Sequence, residues 1–158
     1  RDKFKSRKEP WTQAELEEIY PPVLANQKHW KLTASHGQSE LKGCIDHDID
    51  SRFTTGKIQS PGMWVQVELP KVSELTQITL DAGTSTGDYP RGYEVAASLD
   101  GKTWSKPIAR GDGENAITQI KFPATKAKFL KITQTKRHSG LYWSIHEMSL
   151  NGKELAGK

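Results

Sequence analysis

Trp64-Val-Gln-Val-Glu-Leu69 alternates apolar and polar side chains. An extended chain puts every second side chain on one face, so this run reads as a half-buried β-strand. The same pattern continues outward on both sides. Residues 75–80 repeat it imperfectly through Leu75, Ile78 and Leu80, and Tyr93-Glu-Val95 follows. Segments 117–122, 129–135 and 145–150 complete the set. Turn signals separate the runs: Ser60-Pro-Gly62, Gly87-Asp88, Asp100-Gly101, Gly111-Asp-Gly113 and Asn151-Gly152. Leu99-Asp-Gly-Lys-Thr-Trp104 is the strongest hairpin signal, because Asp-Gly supplies the positive φ that tight turns need. Short strands at this spacing predict a sandwich or a barrel rather than a βαβ fold.

Before the strands, Thr12-Gln-Ala-Glu15 has the form of a capping box opening a short helix, which Pro21-Pro22 would stop. The chain of 158 residues is 34% hydrophobic and 27% charged, enough for one domain with its own core. No apolar run approaches the ~20 residues of a membrane span. The single Cys44 excludes an internal disulfide and any cysteine-based zinc cluster. The net charge of +4 resides in the first eight residues, which hold five Lys/Arg and one Asp; the other 150 carry 18 basic and 18 acidic side chains. That basic end reads as a solvated tail. Lys121, Lys126, Lys128, Lys131, Lys136 and Arg137 form a second basic run, read as a solvated sheet face, with an anion-binding stripe as the sharper alternative. A start at Arg1 without Met suggests a piece of a longer protein.

Five segments together resemble the discoidin domains, also called coagulation-factor type C domains. Cys44-Ile-Asp46-His-Asp48-Ile-Asp-Ser51-Arg-Phe53 is similar to their A-x-D-G-D-x-x-T-x-W segment. Gly62-Met-Trp64-Val-Gln-Val-Glu-Leu69, Tyr89-Pro-Arg-Gly-Tyr93-Glu-Val95 with Ser98-Leu-Asp-Gly101-Lys-Thr-Trp104, Phe129-Leu-Lys-Ile132 and Trp143-Ser-Ile-His-Glu147-Met follow in the family's order. The resemblance covers about residues 24–152. It implies an all-β, eight-stranded antiparallel jelly-roll β-sandwich, preceded by a tail, helix and linker (1–23) and followed by a short tail (153–158). Without a disulfide the chain is most similar to the bacterial branch, carbohydrate-binding module family 32. His47 stands where the family has Gly, and Phe53 where it has Trp.

The resemblance also implies a structural Ca²⁺ ion. Asp46, Ser51 and Glu147 match the family's ligand positions, together with carbonyls of the same loop, and Asp48 is the neighbouring acid. Read instead as an EF-hand, Asp46-x-Asp48-x-Asp50 fails: loop position 6 is Ser51, not Gly, and position 12 is Lys57, not Glu. Without a metal, these acids would serve as Asx-turn residues and a solvated Glu.

A sugar site in such modules needs a ring to stack on and a few fixed polar partners. The candidate ligand residues are His36, Tyr89, Arg91, Arg137, His138, Tyr142 and Trp143, with Trp30 and Asp88 as further loop positions. Arg137-His-Ser-Gly-Leu-Tyr142 is the leading loop. Trp64, Trp104 and Tyr93 are expected in the core, and Trp143 could be core or platform. No nucleophile elbow, His-Glu-x-x-His or phosphate loop is present, so no catalysis is expected. The reading is a monomeric, non-catalytic glycan-binding module of a secreted, periplasmic or cell-surface protein. Its expected partners are a glycan or polysaccharide and covalently linked neighbouring domains, with no nucleic acid and no membrane insertion. The alternative is a protein-docking, adhesion or spacer module.

Overall fold

The computed structural model describes residues 10–19 and 22–156; the basic end of the chain lies outside them. Helix α1 (Gln13–Ile19) opens on the expected capping box. Thr12 Oγ1 accepts from the Glu15 N–H at 3.1 Å, and Glu15 Oε1 accepts from the Thr12 N–H at 2.9 Å.

Eight strands follow: β1 (Lys31–Ala34), β2 (Phe53–Ile58), β3 (Trp64–Asp81), β4 (Tyr93–Ser98), β5 (Ala109–Gly111), β6 (Ile117–Gln134), β7 (Tyr142–Ile145) and β8 (Glu147–Glu154). Every pairing is antiparallel, and together they make a jelly-roll β-sandwich. Strands β3 and β6 are the long central pair. The first half of β3 is flanked by β1, the second half of β6, paired with it, by β4 and then β5, and the second half of β3 by β8. Strands β2 and β7 pair with each other in a separate sheet.

The long pair is interrupted where prolines remove ladder donors. Between the pairs Glu68↔Phe129 and Ser73↔Ala127 the β3 side carries extra residues, including Pro70. Between Leu75↔Thr125 and Gln77↔Lys121 the β6 side carries them, including Pro123. A matching shift against β8 puts Thr76 out of step. This bulge explains the imperfect alternation at 75–80: Leu75 and Ile78 both point inward because one extra residue lies between them.

Segments from both sheets share one core, including Val65, Val67, Leu69, Leu75, Ile78, Leu130, Ile132, Phe53, Trp143, Ile145, Met148 and Leu150. The residues before β1 join it, since the Leu24 N–H donates to Leu150 O at 2.8 Å and Val23 bridges Asn151. Gly101 takes the positive φ of 77° expected at the turn after β4. The side chains of Ser98 and Asp100 cap that turn by accepting four backbone N–H bonds.

Two expected core tryptophans are corrected. Trp64 is in phase with Gln66 and Glu68, on the outer face opposite Val65 and Val67, and it is only half-buried. Trp104 is also half-buried and packs edge-on against Phe129 at 6.4 Å. The Lys131 ammonium lies 5.2 Å from the Trp64 ring and 4.7 Å from the Trp104 ring, so the outer face carries a cation–π cluster. Tyr93 is in the core as expected.

Candidate functional site

The sheet register gathers the candidate loops. Strand β1 ends at Ala34, opposite Val65, and β3 begins one residue earlier, with Trp64 opposite Thr133. Strand β6 ends at Gln134, opposite Tyr93, where β4 begins. Residues 35–37, 59–63, 87–92 and 135–141 therefore leave the sheets at one end of the sandwich. His36, Tyr89, Arg91, Arg137, His138 and Tyr142 all belong to this end.

One buried side chain, absent from the sequence candidates, ties these loops together. Gln59 is 0% exposed. Its Nε2 donates to Tyr89 O at 2.8 Å and to Tyr142 O at 3.0 Å, and its Oε1 accepts from the Arg91 N–H at 3.1 Å. Its backbone N–H donates to Leu141 O, and its carbonyl accepts from the His138 N–H. A single amide thus fixes the spacing of the 87–92 and 135–141 loops. No local pattern betrays it, because a buried Gln looks like any polar residue before a turn.

The other candidates divide by role. The Arg91 guanidinium stacks 3.7 Å above the Tyr89 ring and donates to Gly87 O and Tyr89 O, so this pair mostly shapes its own loop. His138 Nδ1 accepts from the N–H groups of Gly140 and Leu141, which assigns the ring proton to Nε2. His36 Nδ1 bonds Ser35 Oγ at 2.9 Å. Arg137 is exposed, and Tyr142 is 42% exposed, a ring available for stacking. Trp143 is corrected: it is 0% exposed and packs edge-on against Phe53 at 6.5 Å, so it is core and offers no surface to a sugar. The pleat dictates this, since neighbours along β7 point to opposite faces.

The acidic loop is built of Asx turns. Asp46 Oδ1 accepts from the Asp48 N–H, and Asp48 Oδ1 from the Asp50 N–H, each at 3.0 Å. The Ser51 hydroxyl donates to Asp48 Oδ2 at 3.3 Å. His47 has φ 60°, which explains why the corresponding family position favours Gly. Among the described residues, no group of three or more His, Cys, Asp or Glu side chains is arranged to hold a metal. Two carboxylates do act on each other. Glu147 is pushed above the usual carboxylate range, chiefly by burial, with the charge of Asp46 adding to it and His47 opposing. Its Oε2 is buried without a hydrogen-bond partner. The same burial and the Glu147 charge push the Cys44 thiol up to about 12, so this cysteine is an inert core group.

Next to this loop, His146 Nε2 meets Ser85 Oγ at 2.9 Å while its Nδ1 meets Ile49 O. Arg52 Nη1 donates to Ser85 Oγ at 2.8 Å, and Asp88 accepts from the Ser144 hydroxyl at 2.6 Å. The Ser–His contact is packed into the body of the protein. His146 is buried, and Gly83 lies so close that a Cβ there would come within 2.6 Å of the ring. The network fastens loops 46–51 and 83–88 to β7 and β8.

The fold is a small antiparallel sandwich with polar and aromatic loops gathered at one end. The chain belongs to the F5/8 type C domain family, whose model matches residues 27–148. Among similar solved structures is CpGH89CBM32-5 from Clostridium perfringens, in complex with GalNAc-beta-1,3-galactose. It is 22% identical, with 79% of this chain and 96% of that one covered, at a TM-score of 0.67. The family 32 carbohydrate-binding module of C. perfringens NanJ, in complex with galactose, is 21% identical over 78% of this chain and 94% of that one, at a TM-score of 0.66. The C. perfringens ZmpB structure, which contains CBM32-1, CBM32-2 and M60 catalytic domains, matches at 21% identity and a TM-score of 0.70 over 84% of this chain and 15% of that one. No curated protein matches the sequence.

Proposed function

We propose that this chain is a non-catalytic glycan-binding module that takes its sugar at the Gln59-braced end of the sandwich. What supports this reading is that one loop at this end carries an exposed ring, Tyr142, with His138, whose Nδ1 is occupied by backbone N–H groups, and the exposed Arg137. A pyranose presents an apolar face and hydroxyl edges, and these groups match both. Arg91, Tyr89 and His36 shape the rim. The sugar complexes of the similar modules are consistent with this reading, and the ZmpB structure, in which such modules stand beside a catalytic domain, supports a parent protein with further domains; a secreted, periplasmic or cell-surface setting is part of the proposal.

A Ca²⁺ ion is part of the proposal. Asp46 and Glu147 would hold it with Ser51, Asp48 and carbonyls of the loop. The orphaned Glu147 oxygen and its like-charged neighbour are the features a hard cation would satisfy. The ion would supply structure, pinning the first long loop to β8.

Binding to a glycan array and to immobilised galactosides tests the sugar reading. Tyr142→Ala with Arg137→Ala is expected to weaken binding by about tenfold or more, with the melting temperature nearly unchanged. Trp143→Ala, one residue on, should instead cost about 3–5 kcal/mol of stability, as truncation of a buried aromatic does. Silence of the wild type on every neutral and acidic glycan would favour a docking or spacer role.

A further inference from the structure

Along the β1 edge of the sandwich, β1 and the two 3₁₀ turns Gln27–His29 and Gln38–Cys44 enclose a groove of about 560 Å³. Its floor is apolar: Trp30 and Leu41 are buried, and Leu32 and Ile45 are partly so. Lys28, Lys31 and Lys42 stand around it against a single acid, Asp46. The wall is rigid, because the Gln38 side chain accepts from the Ala34 N–H at 2.9 Å and donates to Leu32 O at 3.3 Å. Trp30 is 5% exposed, and its indole N–H meets no acceptor among the described residues.

We propose that this groove is a second ligand site, for an acidic saccharide bearing carboxylate or sulfate. The lysines supply the charge. Among the described residues none of the three has an ion-pair partner. In the more conspicuous basic run of residues 121–137, three of the six cations are engaged: Lys128 pairs with Glu68 at 3.8 Å, Lys136 with Asp112 at 3.0 Å, and Lys131 faces two indole rings. The lysines, not the floor, select the ligand class. With Trp30 buried, the described residues offer no ring for stacking here, so an anionic saccharide would be held by charge, with Gln38 and Ser39 as partners for its hydroxyls and Leu32 and Ile45 as apolar contacts. A nucleic acid would need exposed rings for its bases, and the Trp30 ring is buried. The site is independent of the loop end proposed above.

The test is calorimetric titration with an oligogalacturonate, its sulfated counterpart, its neutral methyl ester and single-stranded DNA. Expected is binding of an acidic oligosaccharide and not of the ester. Affinity should fall as ionic strength rises from about 0.1 M to about 1 M, where the screening length shrinks from roughly 10 to roughly 3 Å. The triple variant Lys28→Gln, Lys31→Gln, Lys42→Gln should weaken that binding by about tenfold or more at an unchanged melting temperature. Lys121→Gln with Lys126→Gln, and Tyr142→Ala, should leave it intact. The proposal is overturned if the wild type ignores both acidic oligosaccharides at low salt, if the triple variant binds like the wild type, if the β6 variant loses as much, or if DNA binds in preference. Loss of neutral-sugar binding in Tyr142→Ala reports on the loop end alone.

Discussion

Gln59→Leu is expected to lose glycan binding and about 2–4 kcal/mol of stability together. The substitution keeps the volume but removes two donors and one acceptor from a fully buried position. Tyr89 O keeps a bond from Arg91 Nη1 at 2.7 Å, but Tyr142 O and the Arg91 N–H lose their Gln59 partner. Each buried polar group left unsatisfied costs about 1–3 kcal/mol. For a chain of this size that lowers the melting temperature by roughly 5–15 °C. Binding falls because the 87–92 and 135–141 loops lose the brace that sets their separation. Gln59→Glu separates the contributions. It keeps the acceptor for Arg91 but loses both donors and buries a charge, so it should be at least as harmful. A melting temperature unchanged in both variants would show that the loops hold their places without this amide.

The second large effect concerns the acidic loop. If Asp46 and Glu147 hold Ca²⁺, calcium at about a hundred times its dissociation constant should add about 2.7 kcal/mol, or roughly 5–10 °C in melting temperature. Chelation should reverse the gain. Mg²⁺, which demands tighter octahedral geometry, should not replace it. Asp46→Ala and Glu147→Gln should each abolish the response. Glu147→Gln is the sharper probe. It keeps an acceptor for the His47 N–H while removing a charge that burial and Asp46 already disfavour. Without calcium, this variant should be as stable as the wild type or more so. Calcium addition that shifts neither wild type nor variants would leave Asp46, Asp48 and Ser51 as turn residues only.

Much of the fold was legible along the chain because strand phase is a local property. The alternation of Val65, Val67 and Leu69 fixed the inward face of β3, whereas the odd step from Leu75 to Ile78 reads in sequence only as imperfect alternation and is explained by the bulge. The capping box at Thr12 formed as written. Phase also places Trp64: it is in register with Gln66 and Glu68, hence outward. Trp143 was ambiguous for a different reason. Its neighbour Tyr142 is just as aromatic, and only the pairing of β7 with β2 decides which ring turns inward.

The order of motifs, their turn residues and their alternation were sufficient to specify an antiparallel sandwich of this family, since each depends on neighbours a few positions away. The tertiary structure alone decided the rest. The Gln59 brace joins residues 30 and 83 positions apart. The orphaned Glu147 oxygen owes its state to burial beneath a distant loop, and the lysine groove exists only because two 3₁₀ turns fold against β1. Hydrogen-bond satisfaction and enclosed space are properties of three-dimensional packing, and no one-dimensional period encodes them.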